Sequence, residues 1–246
     1  MLRKDVVRMM RIWTQTFLPS VITSVLYFLV FGSVLGNRIG GFGEHTYIQF
    51  VVPGLVMLAV VTNSFSNVAF TFFTAKFFSR NIDEILVSPT PPWVFIAGYI
   101  SGGVVRGVII GLLVLLVSLA FATPSIAHPF IILAFLFMSS ILFSLAGLIN
   151  GIYAQNFDGI QIVPTFVLTP LVYLGGVFYS VSMLPQWAQT ITFLNPIFYL
   201  VNGFRYGFLG IADVSLWISF VVLLILIGIP ASVNVYLIRT GLGLKQ

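Results

Sequence analysis

Cysteine is absent from the 246-residue chain, and only six acidic residues stand against eleven lysines and arginines. Without thiols there is no disulfide, thiolate metal site or cysteine nucleophile, and the redox compartment stays undetermined. Charged residues make up 7% of the sequence against 59% hydrophobic ones, and the mean hydropathy is +1.10, which excludes an ordinary soluble domain. No G-x-x-x-x-G-K-[ST] loop occurs to cradle a nucleotide phosphate, and neither H-E-x-x-H nor G-x-S-x-G is present. The two histidines, His45 and His128, fall in predicted loops, so an intramembrane protease is poorly supported. The basic residues are scattered, with no aromatic-interleaved stripe that would follow a phosphate backbone, so no nucleic-acid partner is expected. There is no fixed-period repeat and no low-complexity linker, which predicts one domain over residues 1–246.

What is present is a series of apolar runs of about 20 residues, the length a helix needs to cross roughly 30 Å of hydrocarbon. They lack the ten-residue alternation of barrel strands, so the fold class expected is an all-α polytopic membrane protein. Six transmembrane helices are expected at about 17–36, 47–73, 103–122, 129–149, 161–179 and 216–238. Pro53 predicts a tilt or kink in the second, and residues 93–102 read as an interfacial or helix-extending segment ahead of the third. Pro129 suits the first turn of the fourth. Asp158, with Gln161 three residues on, reads as the N-cap of the fifth. Ahead of the first span, residues 1–15 place Lys4, Arg8 and Arg11 on one helical face and Val6, Met9, Met10 and Trp13 towards the other. That pattern predicts an amphipathic interfacial helix, retained rather than cleaved, with its basic face towards anionic lipid or a partner protein.

Residues 187–210 are apolar but contain Asn195, Pro196, Asn202 and Arg205. Charge bias decides their placement. With six spans and a cytoplasmic N-terminus, Arg3, Lys4, Arg8, Arg11, Lys76, Arg80, Arg239 and Lys245 fall inside, and only Arg38 and Arg205 outside. A seventh crossing would put Arg239 and Lys245 outside, so 187–210 is expected to be a re-entrant element on the outer side, shielded by neighbouring helices.

None of the six acids falls within an expected span, which counts against ion coupling through a buried carboxylate. Arg106 lies near the start of the third span, where it either snorkels to the interface or faces a pathway. Gly103, Gly107 and Gly111 around it permit close helix contact, within or between subunits. Thr62, Asn63, Ser66 and Asn67 share one helical face of the second span and either line a polar pathway or bond neighbouring helices; Tyr173 is a further candidate for lining. Between the second and third spans, RNIDEILVSPTPP reads as a short helix bounded by a capping pair, Asn81 and Glu84, and stopped by Pro89. As a bland connector, Asp83 and Glu84 keep it solvated; as a functional element, it is a knob against which a partner exerts force.

The segments MRIWTQTFLPSVITSVLYFLVFG, QFVVPGLVMLAVVTNSFSNVAFTFF, RNIDEILVSPTPP, FSLAGLINGIYAQNFDGIQIVPTFVLTPLVYLGGVFYS and LNPIFYLVNGFRYGFLG carry a resemblance. Over nearly its full length the chain resembles the membrane subunit of ABC-2 type transporters. The resemblance implies a permease homodimer in the bacterial inner membrane, both termini cytoplasmic, joined to two copies of an ABC ATP-binding protein. ATP and Mg belong to that partner, and this chain is expected to bind no cofactor or metal and to catalyse no reaction itself. The coupling helix would run from about 81 to 87, with Asn81, Ile82, Asp83, Glu84, Ile85 and Leu86 contacting the ATPase. The alternative class is a secondary transporter or channel that works without an ATPase.

Overall fold

A helix that is apolar around its whole circumference is suited to lipid rather than water. The computed structural model describes residues 2–36, 45–78 and 90–243, and it is helical, with no β-strand among the described residues. In chain order the helices are α1 (Leu2–Arg11), α2 (Trp13–Tyr27, continued by π-helical turns over Phe28–Leu35), α3 (Tyr47–Phe77), α4 (Pro92–Ser118) and α5 (Pro129–Tyr153). There follow α6 (Phe157–Val163), a π-helical link Pro164–Leu168, α7 (Thr169–Tyr173), α8 (Gln186–Leu194), α9 (Pro196–Leu209) and α10 (Leu216–Thr240). Among the described residues five stretches are long and apolar enough to cross a membrane: Trp13–Gly32, α3, α4, α5 and α10. The chain is therefore an all-α polytopic membrane protein.

The fifth expected span differs most from its prediction. Instead of one helix over 161–179, α6, the π-helical link and α7 run from Phe157 to Tyr173 as segments of seven, five and five residues. That length rises at most about 25 Å, short of the hydrocarbon thickness. Pro164 and Pro170 remove two backbone donors, and the ladder widens locally, with Thr169 Oγ1 donating to the Pro164 carbonyl at 2.9 Å. Gly176, at φ +73°, then takes a left-handed turn that ends the run. The N-cap also differs: Asn156, in extended backbone, accepts from Gly159 N at 2.7 Å, while Asp158 sits exposed within the first turn. Residues 93–102 prove to be part of one continuous helix, α4.

α3 forms the axis of the bundle, buried along most of its length between α4 and α5, with α9 against its N-terminal part. Lipid tails give helices no hydrophobic reason to associate, so close packing of small side chains has to supply it. Along α4 a side chain at Gly103 would collide with Val68 and Ser144, one at Gly107 with Ser64 and Ser140, and one at Gly111 with Val60 at 2.8 Å. The glycine stripe thus packs within the subunit. Gly147 and Gly151 bring α5 equally close to the α3 backbone at Phe65 and Ala69. At the far end of the bundle the 187–210 segment divides at Asn195–Pro196, where the Asn195 side chain caps α9 by accepting from Ile197 N at 3.0 Å.

Candidate functional site

The polar face of α3 bonds neighbouring helices and borders two cavities. Thr62 bonds only its own helix, through the Leu58 carbonyl at 2.8 Å, whereas Asn63 links three helices. Its Nδ2 donates to Ser20 Oγ of α2 at 3.2 Å and to the Ala59 carbonyl at 2.9 Å, and its Oδ1 accepts from Arg106 of α4 at 3.4 Å. Asn67, one turn further on, accepts from the other terminal nitrogen of Arg106 at 3.3 Å. Arg106 therefore turns towards α3 instead of snorkelling away from it.

Two cavities lie along this face. One, of about 270 Å³, is bordered by Arg8, Thr16, Ser66, Asn67, Arg106 and Gln161. The other, of about 300 Å³, is bordered by Ser20, Thr23, Tyr27, Thr62, Asn63 and Tyr173, among others. Asn63 borders the second and bonds Arg106, which borders the first, so one hydrogen bond links their walls. Apart from arginine, their polar groups are hydroxyls and amides, which exchange hydrogen bonds with a ligand without imposing charge. At the edge of the second cavity the hydroxyls of Tyr27 and Tyr173 meet at 2.8 Å. Tyr173 stacks on Phe178 with centroids 5.6 Å apart, and Phe178 on Phe31 at 4.4 Å. The structure thus brings all five expected lining residues to these two cavities: Thr62, Asn63, Ser66, Asn67 and Tyr173.

The N-terminal helix is attached to this region by its charges. Asp5 is buried against α4 at Gly102, whose Cα has no room for a side chain: a Cβ there would stand 2.6 Å from Asp5 Oδ2. Arg8 donates to Asp5 at 3.1 Å and to Thr71 Oγ1 of α3 at 2.7 Å. Burial raises the Asp5 carboxyl above its ordinary 3.8, and the positive charge of Arg8 offsets part of that rise. The expected basic face is accordingly divided: Lys4 and Arg11 are exposed, but Arg8, half-buried, turns towards α3, and on the other face Met9 is buried while Met10 and Trp13 are exposed. A helical wheel could not reveal this, because the partner of Arg8 lies 63 residues away.

The expected coupling residues, Asn81, Ile82, Asp83, Glu84, Ile85 and Leu86, lie outside the described residues. Near them Lys76, at the end of α3, donates to the carbonyls of Ile152 at 2.9 Å and Gly243 at 2.6 Å, tying the ends of α3, α5 and α10 together.

A second polar centre, unforeseen in the sequence, sits at the opposite end. Arg205 is buried, with its guanidinium 3.8 Å from the centroid of Phe50 of α3, 3.6 Å from Asp213 and 2.5 Å from the Gly176 carbonyl. Ser180 donates to Asp213 at 2.6 Å, and Asn202 accepts from the Asp213 backbone at 2.8 Å. The only prior signal was an arginine in an apolar stretch. Among the described residues no group of three His, Asp or Glu is placed to hold a metal ion.

A family model described as ABC-2 type transporter matches residues 1–209. The inner membrane transport permease YadH of Escherichia coli strain K12 is 52% identical over 244 residues, a match covering 99% of this chain and 94% of the relative. Nodulation protein J of Neorhizobium galegae is 21% identical over 245 residues, 98% of this chain and 92% of the relative. The protein of the same name from Rhizobium leguminosarum bv. viciae is 24% identical over 246 residues, covering 94% and 90%.

Proposed function

The chain belongs to the ABC-2 type transporter family, and from that premise we propose that it is the permease subunit of an ATP-driven exporter in a bacterial inner membrane. Two copies form the translocation pathway, and two copies of a separate ABC ATP-binding protein, which holds ATP and Mg, supply the work. The chain crosses six times with both termini cytoplasmic, and the α6–α7 run together with the residues that follow it up to 179 makes the fifth crossing. Residues 80–92, with Asp83 and Glu84, receive the force, and α1 moves with them.

The observation that carries this reading is the continuous polar face of α3, joined by Arg106 and Tyr173 along two cavities inside an otherwise apolar bundle. Polar groups are expensive within a membrane and mark pathways there. The face carries no carboxylate to couple a proton or sodium gradient, which favours an outside source of work.

Purification of the tagged chain in mild detergent tests the proposal. A stoichiometric Walker-motif ATPase should accompany it, and ATP-dependent flux should follow co-reconstitution. Recovery of this chain alone, with ion-driven flux in ATP-free liposomes, would replace the exporter with a secondary transporter.

A further inference from the structure

Buried Arg205 and half-buried Arg106 are treated differently by the fold. Arg205 has a carboxylate, a carbonyl and an aromatic face around it. Arg106 has no carboxylate within 4.0 Å among the described residues; its terminal nitrogens reach only the amide oxygens of Asn63 and Asn67, at 3.4 and 3.3 Å. An amide oxygen satisfies a donor but does not neutralise a charge, and an uncompensated cation in a low-dielectric setting costs several kcal/mol. The other side chains of this cavity worsen the imbalance. Arg106 Nε and Asn67 Nδ2 are buried donors without acceptors, and Arg8, whose charge Asp5 partly offsets, borders the same space. Among the described residues no acidic one borders it.

Resting on the permease reading, we infer that this cavity receives the acidic headgroup of an amphiphilic substrate, such as a phosphate ester or carboxylate. The guanidinium of Arg106 holds the anion, and Asn67, Ser66 and Gln161 complete the donor set. At about 270 Å³ the cavity lies just below the roughly 300–1,000 Å³ of whole-ligand sites, so it fits a headgroup and not a whole amphiphile. The rest of the molecule extends towards the second cavity on the same face of α3, whose hydroxyls and aromatic rings suit a neutral hydroxylated or apolar portion.

The test is binding by the purified full-length chain in a neutral detergent, followed by native mass spectrometry with dodecyl phosphate as probe. A phosphatidylglycerol and inorganic phosphate form separate arms, and dodecyl maltoside is the uncharged reference. Dodecyl phosphate should bind, and Arg106→Gln should weaken it about ten- to a hundredfold, the loss expected for one charge-assisted hydrogen-bonding partner. Arg106→Lys should retain most binding, and Arg239→Gln, on an exposed residue, should change nothing. Asn67→Asp supplies an internal counter-ion and should abolish binding even if Arg106→Gln fails to fold. Phosphatidylglycerol binding as tightly as dodecyl phosphate would identify bilayer phospholipid as the source of the headgroup; its failure beside a bound dodecyl phosphate would identify a smaller amphiphile. Inorganic phosphate competing on equal terms would overturn the amphiphile. Equal binding of dodecyl phosphate by wild type, monodisperse Arg106→Gln and Asn67→Asp would overturn the site itself. Because no ATPase enters this assay, its failure leaves the co-purification result untouched, and the reverse also holds.

Discussion

At the scale of single residues, the protein separates polar groups that its packing engages from a charge that it leaves available. Asp5 belongs to the first kind, and its raised carboxyl has a definite sign. The folded state binds the Asp5 proton more tightly than the unfolded state does, so ionisation works against the docking of α1. Stability contributed at this site should therefore increase as pH falls from neutrality towards the unfolded value of 3.8. The thermal midpoint of wild type relative to Asp5→Asn, read by tryptophan fluorescence in detergent, should move in favour of wild type between pH 7 and pH 4. An invariant difference would mean that Asp5 is not buried against α4. Asp213 offers the opposite case, since its removal strands a buried guanidinium. Asp213→Ala should cost on the order of 3 kcal/mol, visible as early loss of the monodisperse peak on heating. Neither role is legible in the sequence, because both partners are fixed by helix packing: Arg8 meets Thr71 and Arg205 meets Phe50 only once α3 is in place.

At the scale of elements, hydropathy was a sound guide wherever bilayer thickness alone decides length. The long helices α3, α5 and α10 start at or beside their expected positions, at Tyr47, Pro129 and Leu216. It failed where backbone chemistry intervenes. The α6–α7 run owes its shortness to two prolines and to the turn at Gly176, which a window of average hydropathy does not weigh. Packing of α4 gives the sharpest prediction. Gly107→Val should prevent α4 from approaching Ser64 and Ser140 and should abolish monodisperse expression. Gly228→Val in α10, where a Cβ would meet nothing within 4 Å, should express like wild type. A tolerated Gly107→Val would show that α4 does not pack closely on α3 and α5.

At the scale of the whole molecule, the outline of the site was legible because polar residues are conspicuous in an apolar chain. Thr62, Asn63, Ser66 and Asn67 stood out on one face, and all four border the cavities. The choice between bonding helices and lining a path could not be made from one helix, since it depends on what α2 and α4 present opposite; Asn63 bonds both and borders a cavity. The prediction at this scale concerns transmission. Asp83→Lys with Glu84→Lys should lower coupled ATPase activity or partner recovery while leaving membrane insertion intact, measured by co-purification and by ATP turnover in liposomes. Unchanged assembly and turnover would return the stretch to a solvated connector.

The cluster around Arg205 limits how such a molecule can move. It joins α9, the N-terminal part of α3, the turn at Gly176 and the approach to α10 through one buried guanidinium. Sliding α9 along α3 would expose that charge to hydrocarbon, so these parts travel together as a stator. Rearrangement is then confined to what the cluster does not grip: α1 and α2, to which none of its bonds run, and the lower part of the α6–α7 run, where the widened ladder at Pro164 already gives the backbone slack. Opening would accordingly be a hinge below a fixed cap, not a uniform parting of the bundle.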